Sequence, residues 1–281
     1  MRLLIPVYYC LLVLVLACCS PTDVGPVNNY PAATRSFWYY SCTDSVFNFR
    51  PTKPVQFNDW ITYSNARVEI LGRDTMADGK EAMKFKETTD LYGTRVNYYR
   101  RSGDTLLLIA HAGYNSNSAL LKGSSGHAYV FGGHRFRTVG ELCAVMTTEA
   151  MLPASFNADT IIYEATPPRV LLFPLSVGKE WTMRQRMDTN GVTVNKKVIG
   201  SEVLTMPPGL MPVFKIQWFW DVNNDGVWDS DFICYDYVGD RGMVKRDIMF
   251  KNVVITTSEC PDGIGLVDVL SEKRLNSFMI Y

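Results

Sequence analysis

Apolar and polar residues alternate over short segments along most of the chain, which is the pattern of β-strands with one buried face. Turn residues separate neighbouring segments of this kind; Thr189-Asn190-Gly191, for example, lies between strand-like stretches at 181–188 and 192–199. Long stretches with helical periodicity are absent. Val139–Leu152 could form a helix, although its Thr147-Thr148 pair weighs against one. The pattern therefore predicts an all-β fold built from antiparallel meander sheets.

The two halves of the chain carry the same order of sequence features: a tryptophan, an apolar strand, a turn glycine, a lysine-containing strand, a tyrosine and a Gly-Asp turn. In the first half these are Trp60, Val68–Asp74, Gly79, Ala82–Phe85, Tyr99 and Gly103-Asp104. In the second half they are Trp181, Lys197–Glu202, Gly209, Val213–Ile216, Tyr235 and Gly239-Asp240. The order predicts two similar halves, an N-terminal β lobe at 37–160 and a C-terminal β lobe at 168–281, forming a curved sheet, a sandwich or a half-barrel. Chance similarity between short strands is the alternative.

The first 36 residues have the features of a lipoprotein leader followed by a tether. Arg2 supplies the positive charge of a signal peptide, and the apolar stretch after it is shorter than the roughly 20 residues that span a bilayer. The stretch ends Val15-Leu16-Ala17-Cys18, which resembles the lipobox of bacterial lipoproteins. Residues 1–17 are therefore predicted to be removed, Cys18 to carry the lipid anchor (palmitate included), and residues 18–36 to form the tether. An ordinary cleaved signal peptide is the alternative.

Lipidation at Cys18 makes the lipid bilayer the expected partner. Cys19-Ser20 follow it without an aspartate, which by resemblance to known sorting patterns indicates the outer membrane, with the domain facing the periplasm. The chain has 28 basic and 28 acidic residues, so no nucleic-acid partner is expected. Five further cysteines are either paired in disulfides or buried as free thiols, and both readings stay open: Cys19, Cys42, Cys143, Cys234 and Cys260.

The C-terminal half resembles a group of uncharacterised bacterial lipoproteins. Phe173–Trp181 is similar to their "PLxVGxxW" opening, and Gly239–Lys245 is similar to their "GxGLVK" segment. Three further stretches fit the same pattern: Val198–Glu202, Pro208–Ile216 and Leu275–Ser277. The resemblance covers residues 173–281 and implies a β-rich exported domain with no assigned activity. In such a domain, Trp181 is expected to anchor a core.

An acidic loop in the second half is the sharpest candidate site. It resembles the calcium loop of the EF-hand and dockerin type, in which oxygen ligands surround a hard cation and a glycine permits a sharp bend. The predicted ligands are Asp221, Asn223, Asp225, the Val227 carbonyl, Asp229 and Asp231, the last replacing the bidentate acid that the pattern has where Phe232 stands. The loop makes the second half five residues longer than the first between matching lysine and tyrosine residues (20 positions against 15). A polar hairpin turn without a metal is the alternative.

The remaining candidates for chemistry carry less weight. His111, His127 and His134 lie in or beside a Gly/Ser/Asn-rich stretch, so we expect surface-loop histidines in preference to a zinc site. Aromatic residues at 37–40 and at 218–220 could bind a ligand, but neighbours on a strand point to opposite faces, which favours core packing. The sequence contains no serine-nucleophile elbow and no phosphate-binding glycine loop.

These observations predict a membrane-anchored, exported lipoprotein with a non-enzymatic binding or structural role in the cell envelope and a structural calcium loop. A carrier or sensor of apolar ligands, with a cavity inside a curved sheet, is the first alternative. A glycan or peptide hydrolase is the second, since pairs of catalytic carboxylates meet only in space.

Overall fold

The computed structural model describes residues 25, 27–91, 93–112, 126–147, 160–185, 192–222 and 225–281. Within these residues the chain forms fifteen strands and one helix, α1 (Val139–Met146). The strands are β1 (Phe37–Pro51), β2 (Trp60–Thr75), β3 (Glu81–Thr89), β4 (Gly93–Ser102), β5 (Thr105–Ala112), β6 (His127–Phe131), β7 (His134–Phe136), β8 (Ile161–Tyr163), β9 (Arg169–Leu172), β10 (Glu180–Arg184), β11 (Thr193–Met206), β12 (Gly209–Asp221), β13 (Phe232–Gly239), β14 (Gly242–Thr257) and β15 (Gly265–Met279).

All of these strands join one antiparallel sheet, which confirms the predicted all-β meander. The main path runs β10-β11-β12-β13-β14-β15-β1-β2-β3-β4-β5-β8, and the pairing of β15 with β1 joins the two halves. The sheet curves until β9 and β10 come together, where Trp181 Nε1 donates a hydrogen bond to the Arg169 carbonyl (2.9 Å). In the described residues no strand ladder closes the sheet there, so the predicted curved sheet is also confirmed.

Each half contributes one strand that pairs with a strand of the other half. β9, whose residues 169–172 fall in the predicted C-terminal lobe, pairs with β5 of the first half. β6, from the predicted N-terminal lobe, pairs with β14 of the second half. The division into lobes at 37–160 and 168–281 stays a prediction.

Alternate residues of each strand face the interior of the curved sheet, and most of these inward-facing residues are apolar. On β11, Val194 and Val198 are fully buried, and Lys196 between them is buried as well. Trp181 lies in the largest apolar cluster, which confirms its expected place in the core. The same cluster receives Leu142 from α1.

The candidate helical segment does form a helix, which begins at Val139. Thr138 caps it, because the Thr138 hydroxyl accepts a hydrogen bond from the Glu141 backbone N–H (3.1 Å). The α-helix ends at Met146, and the remainder of the predicted helical segment from residue 148 lies outside the described residues. In the part of the chain that the structure describes, no helix is long and apolar enough to cross a membrane.

The two halves contain the same backbone irregularities. The β2–β3 ladder has a register shift between Ile70 and Gly72, and the β11–β12 ladder has one between Val198 and Gly200. A second pair of shifts lies between Tyr98 and Tyr99 in β4–β5 and between Tyr237 and Val238 in β13–β14. Bulges at matching places in two hairpin pairs support two copies of one meander over chance similarity.

The segments that lead into the two halves also match. Arg35 and Gly178 both have a positive φ, and their N–H groups donate to the carbonyls of Ile70 and Val198, each at 2.8 Å. The next residue in each half accepts a hydrogen bond back from the same strand, Ser36 from the Ile70 N–H and Lys179 from the Val198 N–H.

This register corrects two of the matches drawn from sequence. Trp38, which lies opposite Val68, is the equivalent of Trp181, which lies opposite Lys196; Trp60 is not. Likewise Tyr98 pairs with Lys84 and Tyr237 with Lys215, so these tyrosines correspond instead of Tyr99 and Tyr235. Short strand motifs do not determine the pairing register of the strands, and a shift of one residue in that register exchanges the two faces of a strand.

Candidate functional site

The acidic loop folds around hydrogen bonds from its own backbone. Asp221, at the end of β12, accepts from the N–H groups of Asp225 and Gly226, each at 3.1 Å. Asp229 Oδ2 accepts from the Val222 N–H (2.8 Å), and Asp225 Oδ1 accepts from the Val227 N–H (2.8 Å). These contacts are those of a tight polar turn, and they place three of the predicted calcium ligands on one loop.

Of the other predicted ligands, Asp231 is placed less favourably for a cation. Asp231 Oδ1 accepts a hydrogen bond from Asn252 Nδ2 on β14 (3.1 Å), which turns this carboxylate toward the neighbouring strand. The Val227 side chain is exposed, and Asn223 lies outside the described residues. Among the described residues no group of three or more His, Cys, Asp or Glu side chains is gathered closely enough to hold a metal ion. The calcium site stays a prediction.

The sequence-based expectation for the histidines is wrong for His111. This residue lies on β5 with 3% of its surface exposed, and its Nδ1 is 3.4 Å from Glu164 Oε1. His134 is exposed and His127 is half-buried at the start of β6, so these two fit the surface assignment better.

The aromatic clusters and the cysteines belong mostly to the interior. Trp38 and Tyr40 are buried while Tyr39 between them is 39% exposed, and Trp218 and Trp220 are buried, as the alternation of strand faces predicts. The four described cysteines are all free thiols: Cys42, Cys143, Cys234 and Cys260. Residues 1–24, with Cys18 and Cys19, lie outside the described residues.

A cavity of about 100 Å³ lies inside the curved sheet, lined by strands of both halves. This volume exceeds the roughly 10–15 Å³ that hold one water molecule and is below the roughly 300–1,000 Å³ of sites for drug-sized ligands. The cavity wall is unusual in its charge, because six acidic or basic side chains contribute to it: Glu87, Arg95, Lys196, Asp236, Arg246 and Lys273.

Asp236, on β13, is the most deeply buried carboxylate of the wall. Arg246, its partner across the β13–β14 ladder, donates to both of its oxygens, from Nε at 2.6 Å and from Nη2 at 3.1 Å. Trp218 Nε1 donates to Oδ2 at 2.8 Å. Burial by itself would raise the pKa of Asp236, but Arg246 and Lys196 hold that pKa below its ordinary value, so the carboxylate is charged at neutral pH.

Lys196, on β11, is completely buried beside this ion pair. Its Nζ is 3.7 Å from Asp236 Oδ2 and donates a hydrogen bond to the Val170 carbonyl at 3.1 Å. The same atom lies 3.8 Å from the centroid of the Trp218 ring, on which the Arg246 guanidinium also stacks at 5.1 Å. Two cations therefore contact one indole ring and one carboxylate.

Glu87, on β3, is the second carboxylate of the wall. Arg95 donates to its Oε2 from Nε (3.1 Å) and Nη2 (2.6 Å), and Lys273 of β15 donates to its Oε1 (2.5 Å). Burial would raise the pKa of Glu87, but Lys273 and Arg95 hold it well below its usual range. The charged wall thus contains four cations and two carboxylates, so it carries two more positive than negative charges.

Asn97, on β4, adds an unpaired acceptor to the cavity wall. The residue is 8% exposed, and its Nδ2 donates a hydrogen bond to the Tyr99 hydroxyl (3.0 Å). Its Oδ1 is buried and has no hydrogen-bond partner among the described residues. A buried acceptor without a donor is costly, which is why such an atom in a cavity wall indicates a ligand or water position.

A wider groove of about 560 Å³ lies beside this cavity. Tyr30, Tyr99 and Leu106 line both spaces, so these three side chains form part of the boundary between them. The groove wall includes three arginines and one glutamate: Arg73, Arg100, Arg101 and Glu81.

Sequence reasoning missed this site because its members come from strands that are far apart in the chain. Lys273 and Glu87, for example, are separated by 186 positions. One signal was present: Lys196 stands between Val194 and Val198 on the inward side of an alternating strand, where an apolar residue is expected. A charged residue at such a position indicates a buried partner.

Comparison with known proteins gives distant likenesses of fold. No protein-family model and no curated protein matches the sequence. The structure is similar to a Bacteroides fragilis protein described as exported and as having a YmcC-like fold, with 11% identity, a TM-score of 0.37 and coverage of 89% of this chain and 98% of that one. It is similar also to a Parabacteroides distasonis protein described as a lipoprotein, with 9% identity, a TM-score of 0.36 and coverage of 89% and 97%.

A third solved structure, DynF from the dynemicin biosynthesis pathway of Micromonospora chersina, has 6% identity and a TM-score of 0.22. At these identities and TM-scores the likenesses assign neither a family nor a function to the chain.

Proposed function

We propose that this chain is an exported lipoprotein, anchored through Cys18 to the periplasmic face of the outer membrane, and that its curved sheet is a non-enzymatic binding domain of the cell envelope. The cavity with six charged side chains carries the binding role. Buried ion pairs lose about as much by desolvation as they gain, and apolar residues of the same volume are often equally or more stabilising. Charges concentrated around an internal cavity therefore favour a ligand site over a purely structural interior.

The ionisation states of the two carboxylates in the cavity wall support a binding role over a catalytic one. A glycoside hydrolase needs one carboxylic acid that is protonated near neutral pH, with a raised pKa. Glu87 and Asp236 both have a lowered pKa, so neither is suited to be that acid. Among the thiols, burial raises the pKa of Cys42 to about 11 and raises that of Cys234 as well, so neither is an activated nucleophile.

The same cavity favours a polar ligand over the apolar ligand of the carrier hypothesis. An apolar group placed against four cations and two carboxylates would cover charges without pairing them, which costs free energy. A lipid-sized molecule also exceeds a space of about 100 Å³.

The binding role is tested on the lipoprotein extracted from its own membranes in mild detergent and examined by native mass spectrometry. We expect a small polar ligand to be retained and to be released on unfolding. Protein that carries no ligand and gains none from a metabolite extract would contradict the proposal.

The anchor is tested by feeding cells a labelled fatty acid. The wild-type protein and Cys19→Ser should incorporate the label, whereas Cys18→Ser should not. Labelling of the Cys18→Ser protein would show that the lipid is attached elsewhere.

We also propose that the acidic loop binds calcium in a structural role, supported by the sequence pattern of Asp221, Asn223, Asp225, Asp229 and Asp231. Calcium should raise the melting temperature, and a chelator should reverse the rise, because a ligand that binds only the folded state stabilises it. Asp225→Ala should remove this response, while Asp240→Ala, in another turn, should retain it. Equal melting temperatures with calcium and with chelator would exclude the site.

A further inference from the structure

We propose that the central cavity binds inorganic phosphate. This inference rests on the binding role proposed above and names the chemistry of the ligand. It follows from three properties of the cavity wall: its excess of positive charge, its unpaired acceptor and its size.

The charge of the wall matches a dianion. Arg95, Lys196, Arg246 and Lys273 outnumber Glu87 and Asp236 by two positive charges. A phosphate group carries about −1.5 to −2 charges at neutral pH, and a simple carboxylate carries one. A phosphate in the cavity would therefore bring the whole group close to neutrality, which a buried cluster of charges requires.

The types of cation present suit the same ligand. Two of the four are guanidinium groups and two are lysine ammonium groups, and both kinds of cation are common partners of phosphate in proteins. They lie on β4, β11, β14 and β15, so they approach the cavity from separate strands. Donors from several directions suit a tetrahedral oxyanion better than a planar carboxylate.

Asn97 supplies the feature that distinguishes hydrogen phosphate from other oxyanions. Its buried Oδ1 lacks a donor among the described residues and can accept a hydrogen bond from a ligand. Hydrogen phosphate carries a P–OH group at neutral pH, whereas sulfate has the same shape and charge but no hydrogen to donate. A site with an unpaired acceptor rejects the ligand that cannot supply the hydrogen bond, because two acceptors then face each other.

The dimensions of the cavity agree with a group of few atoms. A volume of about 100 Å³ suits a phosphate with one or two waters better than a larger organic molecule.

The first test measures binding of inorganic phosphate, glycerol phosphate and sulfate to the detergent-solubilised, ligand-free lipoprotein by isothermal titration calorimetry. We expect phosphate to bind at least about tenfold more tightly than sulfate, the discrimination of roughly one hydrogen bond. Glycerol phosphate, whose dianion has no P–OH group, should bind more weakly than inorganic phosphate, and tighter binding of glycerol phosphate would contradict the role assigned to Asn97. Equal affinities for phosphate and sulfate would overturn the proposal.

Two variants test the assigned contacts. Asn97→Leu should retain phosphate binding in weakened form and lose the discrimination against sulfate. Glu87→Gln removes a competing carboxylate with almost no change of shape, so it should tighten phosphate binding by about tenfold. Circular dichroism spectra identical to wild type show that each variant is folded. Weaker binding in folded Glu87→Gln protein, or unchanged discrimination in Asn97→Leu protein, would contradict the assignment.

The failure of this inference is distinct from failure of the proposed function. A retained ligand without phosphate, together with no calorimetric response to either phosphate compound, would overturn the phosphate assignment and leave the binding role standing. A cavity that binds no ligand of any class would overturn both.

Discussion

The two halves of the sheet share one backbone plan but place different side chains at equivalent inward positions. In the first half, Asn97 faces His111 across the β4–β5 ladder. At the corresponding place in the second half, Asp236 faces Arg246 across the β13–β14 ladder. Val68 precedes the bulge of the β2–β3 ladder at Gly72, and Lys196 lies at the same distance before the bulge of the β11–β12 ladder at Gly200. Val68 and Lys196 therefore occupy equivalent positions. At these positions the first half has Val68, Asn97 and His111, and the second half has the ion cluster of Lys196, Asp236 and Arg246. The buried ion pair of the first half, Glu87 with Arg95, lies at other positions.

This comparison separates what the fold needs from what the site needs. The matching bulges and entry segments form in both halves, although only one of them contains the Asp236 cluster. The backbone plan consequently does not depend on charges at the positions of Lys196, Asp236 and Arg246. We infer that the ion cluster of the second half exists for binding, and the predictions below probe that difference.

The largest expected effect follows from removing the shared carboxylate. Asp236→Asn places in the second half the residue found at the equivalent position of the first, and it leaves Lys196 and Arg246 buried beside an uncharged side chain. Loss of one partner from a buried pair costs about 3–5 kcal/mol of unfolding free energy. Urea unfolding at neutral pH measures it. A loss below about 1 kcal/mol would mean that the two cations are already neutralised by other groups.

Acid should weaken the fold through the same carboxylates. Glu87 and Asp236 both have a pKa that folding lowers, so their stabilisation is complete above the unfolded-state values of about 4 and is lost as the pH falls toward the folded-state values. Unfolding free energy measured from pH 7 to pH 3 should decline, and the decline should be shallower in Glu87→Gln. Parallel profiles for the two proteins would show that Glu87 does not contribute to the acid response.

A smaller effect distinguishes the two bulge glycines. Gly72 has a φ of 142°, which L side chains rarely adopt, whereas Gly200 is not in the positive-φ region; an added Cβ meets nothing within 4 Å at either place. Gly72→Ala should therefore cost about 1 kcal/mol through backbone strain, and Gly200→Ala should change stability by only a few tenths. Thermal unfolding of the two variants side by side provides the measurement, and equal losses would contradict this account of the first bulge.

The smallest effect is expected at Asn97, and it has the opposite sign. Asn97→Leu removes a buried acceptor that lacks a partner, so the ligand-free protein should be unchanged or more stable by up to about 1 kcal/mol. Urea unfolding in phosphate-free buffer tests this. A clear destabilisation would mean that the hydrogen bond from Asn97 to Tyr99 contributes more to the fold than the unpaired oxygen costs.

Much of the fold could be predicted from local sequence. Alternating residues and Gly-Asp turns are short-range signals, and they predicted the all-β meander. The core position of Trp181 was expected from the resemblance of residues 173–281 to other lipoproteins. The register of the repeat could not be predicted in this way. The match of Trp38 with Trp181 depends on ladder pairings, which strand motifs of a few residues do not specify.

The cavity site could not be predicted from the sequence for a related reason, whereas the acidic loop could. The acidic loop is contiguous, so its pattern is visible in the sequence even though Asn223 lies outside the described residues. The cavity wall is assembled by the curvature of the sheet from strands at both ends of the chain, such as Glu87 on β3 and Lys273 on β15. The sequence signal for this wall was Lys196 of β11, a charged residue at an inward strand position.

The central claim is that the ion cluster of the second half serves a ligand and not the fold. The most direct test is the triple variant Lys196→Val, Asp236→Asn and Arg246→His, which gives the second half the side chains of the first. Its phosphate affinity by calorimetry and its unfolding free energy in urea are measured together. We predict a folded protein whose stability lies within about 1 kcal/mol of wild type and whose phosphate binding is lost. Retained phosphate binding, or a protein that no longer folds, would contradict the claim.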